Sequence, residues 1–323
     1  MPQGEPFRTL AIPQGVGATR WLGCATKQCA EREVAVPEGN TVWLTARALR
    51  DALAGQTLIA ADIRTPALAA AQLAGREVVD VVARGKHLLI RISAAGERPP
   101  LTLHTHLRMD GSWRVRPATA QVGSARDDVR VVLTTNDATA VGYRLHDIAL
   151  VPTSAEDRLV GHLGPDLLGP DWDAEVAARN LAREPTRPIG EAVLDQRNLA
   201  GAGNVYKCES CFLAGVSPWT RVGDVDLAKY VDLVHRLLVA NKERHNHLTT
   251  GDDRPGRRTW VYGRDRRPCL RCGAAIKRWD AAAAQDRVTY WCPRCQPGPA
   301  PNRGEAPTRG AAIPPPGPRR PTG

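Results

Sequence analysis

The sequence has no apolar run that approaches the roughly 18 residues needed to cross a bilayer. The first 35 residues also lack the basic-then-apolar order of a secretory signal. These two absences argue against a membrane-spanning or exported protein, and they predict a cytoplasmic location with no membrane partner. With 42% hydrophobic and 24% charged residues, the 323-residue chain has the composition of a globular protein of about two domains.

Lysine is scarce as well, since arginine outnumbers it 38 to 6. Such a bias is consistent with a GC-rich coding sequence. The formal net charge is nevertheless +10, which favours an anionic partner, with nucleic acid the leading candidate. Most of the excess lies near the C-terminus, because residues 256–295 hold ten Lys and Arg against three Asp.

Because the chain has no export signal, its 8 cysteines are expected to be metal ligands or free thiols rather than disulfides. Four of them form two Cys-x-x-Cys pairs with nineteen residues between the pairs, namely Cys269, Cys272, Cys292 and Cys295. This spacing predicts a closed, structural zinc site with a β-hairpin between the knuckles and Arg287 near its tip. The alternative is four unrelated free thiols. Cys208 and Cys211 lie in a predicted helix and are interpreted as buried small residues.

Apolar periodicity divides the rest of the chain. Asn40 is placed to cap a helix whose apolar face holds Val42, Ala46, Leu49 and Leu53. Short β-rich runs follow at 57–64, 77–83, 86–93, 101–107, 112–116, 129–135 and 139–151, and they predict a β-sandwich or barrel. After Pro152 the pattern is helical. One helix is predicted from Pro188 through Gln196, Gly201-Ala202-Gly203 breaks it, and a second helix is predicted from about Asn204 to Ala214. The glycine turn is expected to present backbone amides to a phosphate.

Four segments together resemble the formamidopyrimidine-DNA glycosylase and endonuclease VIII family. They are Asp195–Tyr206 with its glycine-rich turn, Val288–Gln296 around the last cysteine pair, Val261–Arg264 and Gly161–Asp166. Asn40–Trp43 and His106–Trp113 are most similar to the actinobacterial endonuclease VIII subgroup. The resemblance covers about 37–297.

The resemblance implies an α+β multidomain fold. An N-terminal β-sandwich with a leading helix would be followed by a helix-two-turn-helix domain and a four-cysteine zinc-finger β-hairpin. The expected segments are 1–36 as an unstructured or non-native extension, 37–155 as the catalytic sandwich, 156–262 as the helix-two-turn-helix domain, 263–297 as the zinc finger and 298–323 as a disordered basic tail.

Members of this family begin with Met-Pro-Glu and lose the methionine, so that proline becomes the N-terminus. The matching Pro37-Glu38-Gly39 is internal here. An internal proline nitrogen is part of an amide whose lone pair is delocalised, so it cannot attack carbon. GTG encodes valine internally and methionine at a start, and Val36 precedes the proline. We therefore hypothesise that the active protein starts at codon 36.

The resemblance also implies roles for particular residues. Pro37 would attack C1′ of a flipped, damaged nucleotide, and Glu38 would act as general acid. Lys86 would serve flanking phosphate and elimination chemistry. Asn204 and Arg287 would grip phosphates, and Arg287 would assist δ-elimination. Met109 would fill the space that the flipped base leaves, as an apolar wedge.

These roles describe a bifunctional glycosylase and abasic-site lyase, a monomer with one structural zinc ion. Its partner would be damaged DNA, whether double-stranded, bubble or single-stranded. The family's 8-oxoguanine enzymes carry Arg-Arg-Phe-Gly where this chain has Arg144-Leu145-His146-Asp147. That difference favours oxidised pyrimidines and single-stranded or bubble DNA.

Two other functions remain open from the sequence. The chain could be a DNA-binding module in which Pro37 is truly internal and inert. It could also be a zinc-ribbon nuclease that uses His245 and His247 with a catalytic divalent metal.

Overall fold

The computed structural model describes residues 37–119, 128–280 and 287–301, so the predicted extension 1–36 and most of the predicted tail lie outside the described residues. The strands are β1 (Ala60–Ile63), β2 (Val78–Arg84), β3 (His87–Ile92), β4 (Leu101–His106), β5 (Ser112–Pro117), β6 (Val129–Thr134), β7 (Ala138–Tyr143), β8 (Asp147–Pro152), β9 (Lys277–Trp279) and β10 (Thr289–Trp291). The α-helices are α1 (Gly39–Leu53), α2 (Asp157–Val160), α3 (Ala174–Ala182), α4 (Ile189–Ala192), α5 (Asn204–Ala214) and α6 (Leu227–Asn241).

Eight strands form a sandwich of two antiparallel sheets. One sheet has the order β1-β6-β7-β5 and the other β2-β3-β4-β8. Inward-facing aliphatic side chains such as Leu88, Ile90, Leu103 and Leu133 fill a common core with the apolar face of α1. The predicted α+β fold with an N-terminal sandwich is thereby confirmed.

The leading helix forms where the apolar spacing predicts it, but its cap differs. Val42, Ala46, Leu49 and Leu53 are buried along one face. The N-cap residue is Glu38, which has extended backbone angles, and Asn40 lies inside the first turn. Asn40 does not cap the helix, because its side-chain amide donates to the Asn241 carbonyl (3.3 Å) and so ties α1 to α6.

The predicted strand 139–151 is wrong as a single element, because two strands occupy it. β7 and β8 belong to different sheets and are separated by Arg144-Leu145-His146. Arg144 has φ +48°, a left-handed conformation that breaks an extended strand. Leu145 is buried and packs against the core of the sandwich, so its side chain also holds this turn in place.

The second half of the chain packs helices around its own core. α5 matches its predicted range, whereas α4 ends at Ala192 rather than continuing to Gln196. Gly201, with φ +106°, makes the turn between α4 and α5 in a conformation that favours glycine. None of the helices in the described ranges is long and apolar enough to span a membrane.

The C-terminal hairpin of β9 and β10 is fastened to α5 by a buried carboxylate. Glu209 is fully buried, and its oxygens accept the backbone N–H groups of Trp260 (2.7 Å), Val261 (2.9 Å) and Tyr262 (2.8 Å). The Thr249 hydroxyl donates to the same carboxylate. The Glu209 side chain therefore holds in place the segment that leads from α6 into the hairpin.

We predict that Glu209→Ala lowers the free energy of unfolding by about 3 kcal/mol, because several buried donors lose their acceptor. Glu209→Gln should lose about 1–2 kcal/mol, because its NH2 group would face a backbone N–H donor. Thermal or urea unfolding measures both. Glu175→Gln, at a glutamate whose side chain is 89% exposed, is the matched control and should change little. An unfolding free energy for Glu209→Ala equal to that of the wild type would contradict this account.

Candidate DNA-repair active site

Glu38 connects the start of the described chain to the glycine-rich turn before α5. Its side chain is fully buried, with Oε2 accepting the N–H of Gly203 (2.8 Å) and Oε1 accepting the N–H of Val205 (2.7 Å). The neighbouring Gly39 N–H donates to the Gly201 carbonyl (2.9 Å). A carboxylate at a helix N-terminus is stabilised by free backbone donors and by the helix dipole. The half-buried Pro37 is thus held beside this turn.

The sequence interpretation of this turn needs a correction. The amides of Gly203 and Val205 do not face a phosphate, because Glu38 already occupies both. Gly203 is also required for space. A Cβ at this position would lie 2.6 Å from Cδ of Glu38 and 2.7 Å from Nζ of Lys86. Sequence reasoning identified the glycine turn but missed that its partner is the carboxylate of Glu38.

Lys86 approaches the same point from the sandwich. It follows Gly85, which turns between β2 and β3 with φ +57° and donates its N–H to the buried Asp166 carboxylate (2.7 Å). Burial lowers the pKa of Lys86 to about 8; Glu38 raises it and Arg287 lowers it further, both by smaller amounts. The structure therefore brings Glu38, Lys86 and Gly203 together, as one cluster of acid, amine and glycine.

Asn204 is bonded to the hairpin at Val288, the residue after Arg287. The Asn204 side-chain amide donates to the Val288 carbonyl (2.8 Å), and Lys207 donates to the Thr289 hydroxyl (2.8 Å). These bonds hold the strand that carries the exposed Arg287. Lys207 is a residue that sequence reasoning missed. Phosphate binding by Asn204 and Arg287 stays a prediction.

Met109 lies apart from this cluster, in the loop between β4 and β5. It is 56% exposed, which is unusual for a methionine that serves only the core. The preceding Arg108 has φ +51° and pairs with Asp147, while Asp110 contacts His146 (3.1 Å). One ion pair and one hydrogen-bonding contact therefore link this loop to the segment around the start of β8. The role of Met109 as a wedge stays a prediction.

Histidines line the sheet beside Lys86. His87 Nδ1 lies 2.8 Å from His104 Nε2, and the ring of His106 meets His87 edge-on at 5.1 Å between centroids. Burial lowers the pKa of His87 to about 3 and that of His106 to about 4, so both are neutral at physiological pH. His87 lies opposite His106 in the β3–β4 register, and sequence reasoning did not single it out.

The four cysteines of the two pairs come together at the base of the hairpin. Their sulfur atoms all lie within 4.8 Å of one another, with Cys269 and Cys295 at 3.9 Å and Cys272 and Cys292 at 3.5 Å. Tetrahedral coordination with metal–sulfur distances near 2.3 Å separates the sulfurs by roughly 3.8 Å, so the cluster fits one metal ion. Among the described residues, no other group of three or more His, Cys, Asp or Glu side chains is close enough together to hold a metal ion. His245 and His247 are not members of the cysteine group.

Cys208 and Cys211 are buried in α5 and are not members of that group of four sulfur atoms. The Cys208 sulfur accepts the Tyr290 N–H (3.5 Å), and the Cys211 sulfur contacts the Tyr230 hydroxyl (3.4 Å). Cys24 and Cys29 lie outside the described residues.

Family profiles match both halves of this architecture. The formamidopyrimidine-DNA glycosylase N-terminal domain matches residues 36–148, and the formamidopyrimidine-DNA glycosylase H2TH domain matches residues 163–240. The chain belongs to the formamidopyrimidine-DNA glycosylase and endonuclease VIII family.

Relatives agree with this assignment. The chain is 52% identical over 274 residues to "Probable endonuclease 8 2" of Streptomyces coelicolor, covering 83% of this chain and 97% of that protein. It is 45% identical over 262 residues to "DNA-(apurinic or apyrimidinic site) lyase Nei2" of Mycolicibacterium smegmatis, covering 81% and 99%. A Lactococcus lactis Fpg structure, a complex with abasic-site DNA, shares the fold with TM-score 0.67 at 23% identity. It covers 81% of this chain and all of that chain.

The lowered pKa of Lys86 predicts a stability that depends on pH. The folded chain binds a proton at Lys86 less tightly than the unfolded chain, so this group's contribution to stability rises from about pH 8 towards the ordinary lysine value of 10.5. Lys86→Met removes the cost of a buried charge and should stabilise the fold by about 2 kcal/mol at pH 7. The gain should vanish near pH 10.5. Urea unfolding at several pH values measures this difference.

Lys277→Met is the control, because Lys277 is exposed on β9. It should show no comparable pH-dependent gain. A Lys86→Met chain that is no more stable than the wild type at pH 7, or equally more stable at every pH, would refute the argument.

Proposed function

We propose that this chain is a bifunctional DNA glycosylase and abasic-site lyase that forms a Schiff base through the nitrogen of Pro37. The observation that carries the proposal is the anchoring of Glu38 by the amides of Gly203 and Val205, next to the depressed pKa of Lys86. This arrangement holds the residue after Pro37 rigidly, as a nucleophile at the chain terminus requires. The names of its relatives, an endonuclease 8 and an abasic-site lyase, support the same class of activity.

The proposed chemistry starts at C1′ of a nucleotide flipped out of the strand. The Pro37 lone pair attacks C1′ and the bond from C1′ to the damaged base breaks, with Glu38 as the general acid that protonates the departing base. The N–H proton of Pro37 then passes to O4′ as the C1′–O4′ bond breaks, which opens the sugar and leaves an iminium between Pro37 and C1′. The iminium acidifies the C2′ proton. A base removes that proton and the 3′ phosphate leaves in β-elimination. δ-Elimination then releases the 5′ phosphate.

Lys86 and Arg287 are assigned to the elimination steps. With a pKa of about 8, part of Lys86 is uncharged at neutral pH and is able to accept a proton. The exposed guanidinium of Arg287 is suited to bind the departing phosphates. The hydrogen bond from Asn204 to the Val288 carbonyl holds the hairpin next to it. Met109, exposed on its own loop, suits the space left by the flipped base.

The nucleophile must be a secondary amine, so the proposal includes a start at codon 36. The match to the family's N-terminal domain begins at residue 36, directly before Pro37, which supports that start. The proposed domains are the catalytic sandwich 37–155, the helix-two-turn-helix domain 156–262 and the zinc finger 263–297. A monomer in the cytoplasm acting at the nucleoid completes the proposal.

The proposed substrates are oxidised pyrimidines in duplex, bubble or single-stranded DNA. Arg144-Leu145-His146 forms a short turn whose Leu145 is buried and whose His146 pairs with Asp110. This turn holds no phenylalanine, tyrosine or tryptophan to probe the opposite strand.

Borohydride trapping on abasic DNA tests the enzyme proposal. A chain beginning at Pro37 should form a covalent adduct, because its terminal amine gives a reducible iminium. The full 323-residue chain, in which Pro37 is internal and its nitrogen is part of an amide, should give none. Intact mass must verify each N-terminus. No adduct from the Pro37 chain would leave the non-catalytic DNA-binding module as the better explanation.

We propose that the four cysteines hold one zinc ion, which would fix the hairpin and leave the reaction to the protein side chains. Elemental analysis should find about one zinc per purified chain, and Cys272→Ser should lose it. Cys211→Ser, at a buried cysteine outside the cluster, is the matched control and should keep the metal. Full zinc content in Cys272→Ser would contradict the assignment.

A further inference from the structure

A cavity of about 370 Å³ lies between α4, α5 and the hairpin. We call it the tryptophan cleft and define it by Arg187, Lys207, Trp219, Trp279, Arg287 and Thr289, which line it. The proposed reaction uses only one of these residues, Arg287. The rest of the cleft is therefore a surface that lies beside the proposed reaction site and is not used by the proposed reaction.

Two indoles form its aromatic wall. The rings of Trp219 and Trp279 are perpendicular, with 6.0 Å between centroids, and both residues are only half-buried. Trp219 rests in turn on the buried Trp291, at 4.8 Å between centroids. A half-exposed indole supported from behind is a rigid platform for a flat ligand, because little side-chain freedom is lost on binding.

Cations lie beside this wall. Lys207 is 3% exposed, and its ammonium contacts the Thr289 hydroxyl (2.8 Å) and the carbonyls of Arg287 and Val288 (both 3.4 Å). Within the described ranges, Lys207 has no ion pair with a carboxylate, and neither has the Arg287 guanidinium. A buried ammonium with only neutral acceptors favours an anion nearby.

Two acidic groups, Asp195 and Glu191, also line the cleft. Asp195 binds Arg187 (3.0 Å) and Arg197 (2.6 Å), so its charge is offset. Glu191 is exposed on α4. The aromatic wall and the two cations, Lys207 and Arg287, are thus complementary to a base and its phosphate.

Arg287 connects the cleft to the active site. Its charge is close enough to Lys86 to lower that residue's pKa, and its side chain lines the cleft. A strand whose phosphate contacts Arg287 at the reaction centre would place a neighbouring nucleotide at the cleft. In a duplex that base is stacked and paired, whereas in a single strand it is free to rotate.

We propose that the tryptophan cleft binds one unpaired nucleotide of single-stranded DNA flanking the reaction site, with its base against Trp279 or Trp219 and its phosphate between Lys207 and Arg287. This inference rests on the proposed function only in taking DNA as the partner. The cleft would give the protein a preference for single-stranded and bubble DNA that duplex contacts do not provide.

Fluorescence anisotropy of the full 323-residue chain with a short oligothymidylate tests the inference without any need for a free Pro37 nitrogen. Trp279→Ala should weaken single-strand binding about tenfold and duplex binding less than about twofold. Trp279→Phe should retain most of the affinity, because a phenyl ring still stacks. Trp172→Ala is the matched control. Trp172 is also half-buried, but it lies outside the cleft and stacks on His235, with 4.7 Å between ring centroids. Wild-type single-strand affinity in both Trp279→Ala and Trp219→Ala, or equal losses for both DNA forms, would overturn the proposal.

Photo-crosslinking of the unmodified chain to a single strand containing 5-iodouracil avoids any dependence on a folded variant. Adducts at Trp279 or Trp219 support the cleft, and adducts confined to other residues overturn it. The two proposals fail separately. Loss of borohydride trapping would leave the anisotropy result intact, and loss of the tryptophan effect would leave trapping on duplex DNA intact.

Discussion

The fold around the active site depends on one buried carboxylate. Glu38 accepts the amides of Gly203 and Val205 at the N-terminus of α5, so it joins the first residues of the sandwich to the helical half of the molecule. A buried, fully hydrogen-bonded carboxylate is costly to displace. The backbone bond from Gly39 to Gly201 reinforces the contact. The position of Pro37 follows from this contact, because only one peptide bond separates it from Glu38.

The same contact also brings the charged side chains of Glu38 and Lys86 close together. Gly203 has no side chain, so Glu38 and Lys86 both come close to its Cα. Burial there lowers the pKa of Lys86, and the hairpin adds the charge of Arg287. The hairpin is thus part of the proposed active site, although its cysteines lie elsewhere. Its attachment through Asn204 and Lys207 links the cysteine cluster to the proposed reaction centre.

Local patterns predicted much of this molecule, and long-range contacts account for what they missed. The helix over Asn204–Ala214 follows from local periodicity and the cysteine cluster from spacing, and both are found. The partner of Glu38 lies 165 residues away, so no local pattern reveals it. Residues such as His87 and Trp279 acquire their neighbours through strand register and hairpin packing, which a single sequence does not specify.

The proposed reaction depends on the nitrogen of Pro37 as the nucleophile. This is tested by mass-spectrometric identification of the residue that carries the deoxyribose after reduction of a trapped complex. We expect the modification on the Pro37 nitrogen, at the N-terminus of a chain that begins at Pro37. A modification on Lys86 or Lys207 in place of Pro37 would contradict the proposal.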